Sequence, residues 1–199
     1  MTPDSPDAQD REDMARLAAG AEAALNHLME RHAGKLYHYL LRLLQNETEA
    51  ADLAEEAFVR VYEHRARFKP ANKFSTWLYT IATNLVRDLQ RHRARHPHVS
   101  LQSAHPQTGQ EFHETLPEAG PHPAEAMEAA ERVEAVRRAV AALDQDLRLP
   151  LVLAEYEEKS YAEIAAILDC SPKAVEMRLY RARQQLRENL AQAADKIIE

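Results

Sequence analysis

The sequence contains little of what several common protein classes require. Its 199 residues include one cysteine, Cys170, which excludes a disulfide framework and a cysteine-based zinc module. Four glycines and an aromatic fraction of 6% argue against β-barrels, sandwiches and glycine-rich nucleotide loops. The longest uninterrupted apolar run is five residues, whereas a membrane-spanning helix needs about 18. Since the N-terminus is acidic and lacks the features of a signal peptide, we expect a cytoplasmic protein without membrane insertion.

Charge is distributed unevenly along the chain. The net charge is −7, from 25 Lys and Arg against 32 Asp and Glu. Residues 60–95 nevertheless hold nine basic and two acidic side chains, and residues 173–187 hold five basic and one acidic. Residues 47–56 hold five acidic side chains and no basic one. Two basic islands in an acidic chain indicate two contacts with a polyanion and a separate surface for a basic partner, although such runs also occur on solvated helix faces.

Hydrophobic periodicity predicts an all-α protein with two small helical domains. Residues 1–20 are acidic and aperiodic, which indicates a flexible tail. Residues 21–96 contain three amphipathic helical patterns that can share a core. Residues 97–123 contain five prolines and no Lys or Arg, which predicts a flexible linker because loops inside compact domains are shorter. Residues 124–199 form the second helical domain.

The second domain contains the pattern of a helix-turn-helix. Ser160 and Glu163 have the spacing of a capping box, and Ser171 precedes Pro172 as expected for an N-cap followed by proline in the first helical position. Asp169 in the turn tolerates left-handed backbone, and Arg183 is expected to contact the DNA backbone or pair with a nearby acid. A second helix of this kind enters the major groove through its N-terminal half. The candidate DNA-binding residues are Ser171, Lys173, Ala174, Met177, Arg178, Arg181 and Arg183.

The third helix of the first domain carries a mixed polar and cationic face beside a basic loop. Such a face suits single-stranded or locally opened DNA, where base edges and phosphates are both accessible. Trp77 belongs to the apolar stripe of the same helix and is interpreted as a core residue. The candidate residues are Lys69, Asn72 and Lys73 in the loop and Thr80, Thr83, Asn84, Arg87, Asp88 and Arg91 on the helix.

Two segments resemble a known family. The stretch FSTWLYTIATNLVRD at 74–88, preceded by DLAEEAF at 52–58, resembles region 2 of the extracytoplasmic-function sigma factors of bacterial RNA polymerase. The stretch from SYAEIA to RAR at 160–183 resembles their region 4. The resemblance covers about residues 24–95 and 130–190 in the family's order, with a linker between them.

The resemblance implies a function for each segment. Members bind the polymerase core through its β′ and β subunits and direct it to promoter DNA. Region 4 recognises the −35 element as a duplex, and region 2 binds unpaired bases of the −10 element and helps to open it. The loop at 68–75 would hold a flipped base, and the resemblance also implies an anti-sigma factor as a partner. The residues that would dock on a coiled coil of β′ are Asp52, Glu55 and Glu56.

Other interpretations and one departure from the family remain. Glu176 and Met177 differ from many members in the second helix, so the −35 sequence cannot be transferred from a relative. The alternatives are a free-standing helix-turn-helix regulator that binds duplex DNA without polymerase, and a helical protein–protein adaptor. His92, His96 and His98 lack accompanying cysteines or carboxylates, so no metal site is expected. We predict no cofactor, no catalytic residue and no enzymatic activity.

Overall fold

A computed structural model of the protein describes residues 5–96 and 123–198, with side chains described for 5–96 and 130–192. These ranges are helical and contain no strand, which confirms the predicted all-α class. Most of the predicted linker lies outside the described residues. The helices are α1 (Pro6–Ala18), α2 (Ala23–Leu44), α3 (Glu47–Glu63), a short 3-10 helix (Arg65–Arg67), α4 (Phe74–Arg95), α5 (Pro123–Ala141), α6 (Gln145–Glu155), α7 (Tyr161–Leu168) and α8 (Pro172–Ile198).

The first domain is built on α2, α3 and α4. Gln45 adopts left-handed backbone at φ 54° and ends α2. Asn46 then caps α3, because its side chain accepts a hydrogen bond from the Glu49 amide at 3.0 Å. The apolar stripes of the three helices meet in a common core, as their periodicity predicts. Its fully buried members include Leu28, Leu36, Leu40, Ala57, Val61, Leu78 and Ala82.

The N-terminal segment forms a docked helix instead of the predicted flexible tail. Asp10, Asp13, Met14 and Leu17 share one face of α1, and all four are buried. Arg31 of α2 donates to both carboxylates, from Nε to Asp10 Oδ1 at 3.0 Å and from Nη2 to Asp13 Oδ2 at 2.7 Å. Half of the buried stripe is therefore acidic, which is why hydrophobic periodicity alone missed the helix. Its cationic partner lies about 20 residues away in the chain.

The second domain consists of α5 to α8 and contains the helix-turn-helix. Ser160 and Glu163 form the predicted capping box at the start of α7. Asp169 has φ 52°, which confirms the left-handed turn residue. Ile164, Val175 and Leu179 are fully buried where α7 and α8 pack together.

The two domains pack against each other. Their buried apolar side chains form one contiguous cluster, in which α7 lies beside α4 and α6 lies beside α2. Arg148 of α6 reaches the first domain, where Nη1 donates to the Leu43 carbonyl at 3.0 Å. The sequence predicts two tethered domains, and the structure adds an interface that depends on residues far apart in the chain.

Candidate nucleic-acid interface

The N-terminal half of α8 is locally well defined and exposed. Ser171 caps it, since its Oγ accepts from the Ala174 amide at 3.1 Å. Lys173, Met177 and Arg181 are exposed, and Met177 is 44% exposed. We call Ser171, Lys173, Ala174, Met177, Arg178 and Arg181 the recognition surface.

Local pairing distinguishes the cations of α8 from one another. Lys173 Nζ lies 2.8 Å from Glu176 Oε2, so the unusual acid is paired with a neighbouring base. Arg178 is half-buried, with Nη1 3.8 Å from Cys170 Sγ. Arg183 is bound to Glu155 of α6 at 2.7 Å, and this hydrogen bond raises the pKa of its guanidinium. The sequence pattern did not predict Glu155 as the partner of Arg183, because the two residues are 28 positions apart in the chain.

Aromatic side chains support the loop between the 3-10 helix and α4. The Phe68 ring lies 5.3 Å from Trp77, and the Phe74 ring lies 6.3 Å from Trp77. Trp77 is half-buried against the core, in agreement with its interpretation as a packing residue. The exposed side chains of Lys69 and Asn72 extend from this supported loop. We call the loop residues Lys69, Asn72 and Lys73, together with Asn84, Arg87, Asp88 and Arg91 on the helix, the α4 surface.

The predicted residues of α4 differ in accessibility. Asn84, Asp88 and Arg91 are exposed, and Asp88 forms an ion pair with Arg91. Thr80 is half-buried and donates to the Thr76 carbonyl at 2.8 Å. Thr83 requires a correction, because it is fully buried and its Oγ1 lies 2.8 Å from the Tyr39 hydroxyl. Its polar type suggested a surface position, whereas it satisfies a buried tyrosine.

Two cations of the α4 surface contact the second domain. Lys73 Nζ lies 2.9 Å from Glu163 Oε1, and Arg87 Nη2 donates to the Leu168 carbonyl at 3.4 Å. Glu163 therefore serves both the capping box and the ion pair. Burial raises the pKa of Glu163, but hydrogen bonds from Ser160 and Lys73 outweigh that effect and hold it at about 2. The same hydrogen bond raises the pKa of Lys73.

An acidic face on α3 points to solvent. Asp52 and Glu55 are exposed, and Glu56 accepts from Arg60 Nε at 2.9 Å. Val59 lies on the same helical face and is 50% exposed. Sequence reasoning missed Val59, although its position on the polar stripe is visible in the pattern. The face thus combines negative charge with one apolar contact.

The described parts of the chain contain neither a membrane-spanning helix nor a cluster of metal-binding side chains. Residues 5–96 and 123–198 include no helix that is long and apolar enough to cross a membrane. The same residues include no group of three or more histidine, cysteine or acidic side chains arranged to hold a metal ion. His92 and His96 stack at 4.7 Å between ring centroids, and His98 lies outside the described residues.

Family models match both domains in order. The model described as Sigma-70 region 2 matches residues 28–96. The model described as Sigma-70, region 4 matches residues 133–186. Together they cover more than half of the chain, and the second includes α7 and the part of α8 up to residue 186.

Curated relatives match over most of their length. The RNA polymerase sigma-H factor of Pseudomonas aeruginosa is 32% identical over 89% of this chain and 92% of its own. The ECF RNA polymerase sigma factor SigW of Bacillus subtilis is 33% identical over 86% of this chain and 91% of its own. The ECF RNA polymerase sigma-E factor of Escherichia coli is 32% identical over 86% of this chain and 88% of its own.

Solved structures share the fold. CnrH, in complex with the cytosolic domain of CnrY, has a TM-score of 0.67 and 28% identity, covering 92% of this chain and 98% of that one. The sigma factor RpoE of Bartonella quintana, in complex with the anti-sigma factor NepR, has a TM-score of 0.64 and 21% identity. The match covers 83% of this chain and 96% of that one. With both regions present in order and relatives above 30% identity along most of the chain, this protein belongs to the extracytoplasmic-function sigma factors of RNA polymerase, which are initiation factors and not enzymes.

Proposed function

We propose that this chain binds the RNA polymerase core and selects promoters through two separate DNA surfaces. The recognition surface binds the −35 element as a duplex, and the α4 surface binds the unpaired −10 strand. The observation that carries the proposal is that one chain has both surfaces. It has an exposed helix-turn-helix whose two helices each begin with a side-chain cap, and it has a separate polar and cationic surface on α4. A free-standing regulator needs only the first of these.

The chemistry of the recognition surface fits a major groove. Arg178 and Arg181 supply donors for guanine edges or phosphates, and Met177 offers an apolar contact for a thymine methyl group. The amides at the N-terminus of α8 suit a phosphate. Lys173 can partly neutralise Glu176 near the DNA backbone, because the two side chains form an ion pair.

The α4 surface fits an unpaired strand. Asn84 is exposed and can bond to base edges, while Arg87 and Arg91 supply charge for phosphates. Thr83 takes no part, since its hydroxyl is committed to Tyr39 in the core. Lys69 and Asn72 lie on the aromatic-supported loop, where a flipped base can be held.

The α3 face fits a basic partner surface on the polymerase β′ subunit. Asp52, Glu55 and Glu56 supply negative charge, and Val59 supplies an apolar centre. Such an arrangement, with a small apolar contact inside a charged rim, is typical of protein interfaces. The variant Val59→Asp should weaken binding to core enzyme, whereas Thr48→Asp, at an exposed position in the first turn of the same helix, should not.

In vitro transcription distinguishes a sigma factor from a free-standing regulator. Core polymerase and this protein are incubated with fragmented bacterial DNA, and the transcripts are sequenced to find shared promoter elements. We expect transcripts that start downstream of one recurring pair of elements. Tight sequence-specific binding to duplex DNA by the protein alone, together with no transcript in the presence of core, would instead support the free-standing regulator.

We also propose an inhibitory protein partner and action in the cytoplasm, where polymerase transcribes the genome. The likeness to CnrH, which was solved with the cytosolic domain of CnrY, supports such a partner. Affinity purification of the tagged full chain, followed by transcription with and without the purified partner, tests the idea. The partner should reduce promoter-dependent transcripts in proportion to its concentration.

A further inference from the structure

We propose that His32 is a positioning residue for the loop at 68–73, because it connects that loop to the docked helix α1. We call residues 68–73, between the 3-10 helix and α4, the base-holding loop. The inference rests on the proposed function, since that function places a flipped −10 base in this loop. His32 itself contacts no DNA. It packs against Phe74, the residue at which the loop ends and α4 begins.

Helix α4 begins without a side-chain cap. The side chains of Asn46, Ser160 and Ser171 accept hydrogen bonds from amides at the starts of α3, α7 and α8, respectively. Lys73 precedes α4, and its side chain makes no such bond. A side-chain cap typically stabilises a helix start by about 1 kcal/mol. The direction in which the base-holding loop leaves α4 therefore depends on packing around Phe74.

Three rings pack against Phe74, which is 1% exposed. The distances between ring centroids are 6.3 Å to Phe68, 6.3 Å to Trp77 and 5.1 Å to His32. Phe68 belongs to the loop and Trp77 to α4, so both move with the structure that has to be positioned. His32 belongs to α2, and its ring meets that of Phe74 at 61°, close to the edge-on arrangement that aromatic pairs favour. Of the three rings, His32 is therefore the one that ties the loop to another helix.

Helix α1 fixes the His32 ring through a buried carboxylate. His32 Nε2 donates to Asp10 Oδ2 at 2.8 Å, because a carboxylate can only accept. The Asp10 side chain is 2% exposed, and its other oxygen accepts from Arg31 Nε, so the acceptor is itself held in place. Hydrogen bonds to a charged acceptor are stronger than those between neutral groups. The docked position of α1 thus sets the orientation in which the His32 ring meets Phe74.

A second contact joins α1 directly to the base-holding loop. Asp7 Oδ2 lies 3.7 Å from the Nζ of Lys73, the last residue of the loop. Both side chains are about half exposed, so this pair contributes little stability on its own. Helix α1 also lies beside the 3-10 helix that precedes the loop. Helix α1 therefore borders the loop at both ends, and His32 is the more buried of its two side-chain links to that region.

The variant His32→Gln tests the inference, because glutamine can still donate to Asp10 but offers no ring to Phe74. The variant His32→Phe makes the opposite change, since it keeps a ring and loses the donor. His27→Gln is the matched control. His27 also contacts α1, with Nδ1 3.3 Å from Asp13 Oδ1, and its ring is not one of the three that pack against Phe74.

Binding of the flipped base is measured in the holoenzyme. Each variant of the full chain is combined with core polymerase, and fluorescence anisotropy reports its affinity for the non-template −10 strand of a promoter found by transcript sequencing. The strand is also made with an abasic site at each position in turn. The loop base is the one whose removal weakens binding of wild type but not of Lys69→Ala/Asn72→Ala. A variant with a general folding defect would lose affinity for the intact strand and for the strand without that base alike.

We expect His32→Gln to bind the intact strand about two- to tenfold less tightly than wild type, which is the factor that an edge-on ring pair contributes. The strand without the loop base should bind wild type and His32→Gln equally. His27→Gln should match wild type on both strands, and His32→Phe should lose less affinity than His32→Gln.

Three results would overturn the inference. They are an equal loss of affinity on the strand without the loop base, an equal loss in His27→Gln, and a His32→Phe variant as weak as His32→Gln. Failure of the proposed function gives a different result, because the wild-type holoenzyme would then bind every abasic strand as tightly as the intact one.

Discussion

The two DNA surfaces of this protein are built in different ways. The recognition surface depends on local features, because Ser160, Glu163, Asp169 and Ser171 set the turn and the start of α8 within a dozen residues. The α4 surface depends on distant ones, since Arg87 and Leu168 are 81 residues apart in the chain. The recognition surface is therefore formed in every folded molecule, whereas the contacts of the α4 surface depend on how the two domains are arranged.

The largest effect should come from Arg31→Met, which acts on the first domain only. Asp10 and Asp13 would remain buried without their guanidinium, which costs about 3 kcal/mol of unfolding free energy. Urea unfolding followed by circular dichroism measures the loss. The control Arg16→Met removes a half-exposed base on α1 that also contacts Asp13, and it should cost less than about 1 kcal/mol. Equal losses in the two variants would show that the buried acids do not hold α1.

Arg178→Ala should affect the recognition surface and leave the α4 surface unchanged. Removing a base contact typically costs about 1–3 kcal/mol and relaxes sequence preference at one position. We expect weaker binding to the −35 duplex and unchanged binding to the −10 single strand, measured by anisotropy. Arg187→Ala, which removes an exposed base farther along α8, is the control and should weaken duplex binding less. The same loss for both probes would mean that Arg178 acts through folding.

Asn84→Ala should have the converse effect. Loss of one hydrogen bond to an unpaired base costs about 1 kcal/mol and should reduce promoter opening, while −35 duplex binding stays unchanged. Permanganate footprinting of unpaired thymines measures the opening in the complex with core enzyme. Asn26→Ala, at an exposed position on α2, provides the control. Opening at the wild-type level in the Asn84 variant would remove this side chain from the α4 surface.

The smallest effect should be a pH dependence at Glu163. Its pKa lies at about 2, below the ordinary 4.5, so its contribution to stability is complete above pH 4.5 and is lost as the pH falls toward 2. The difference in unfolding free energy between wild type and Glu163→Gln should therefore shrink over that range. Glu131→Gln should show no comparable trend. A difference that does not change with pH would mean that Lys73 and Ser160 do not hold the carboxylate in solution.

The sequence predicted what short-range chemistry determines. The capping box, the left-handed Asp169 and the apolar stripes of α2, α3 and α4 all follow from spacing, and the structure confirms them. The resemblance to sigma regions 2 and 4 supplied the functional assignment, which the family comparisons support. Spacing within helices was sufficient for each of these features.

The sequence did not predict contacts between segments. Helix α1 was missed because its buried face is half acidic and is satisfied by Arg31 on another helix. Thr83 was placed on the surface because its burial depends on Tyr39, 44 residues away. The packing of the two domains through Tyr79 and Glu157 involves a separation of 78 residues. No local pattern encodes which polar side chain will meet such a partner.

The Tyr79 hydroxyl offers a direct signal of the domain arrangement. It bonds to Glu157 of the other domain, and burial together with this carboxylate raises the pKa of its phenol well above the ordinary value. A phenolic proton shielded in this way exchanges with water only when the contact breaks. Its nuclear magnetic resonance line, absent whenever solvent reaches the ring, would let molecules that keep this contact be counted in an unlabelled sample at equilibrium.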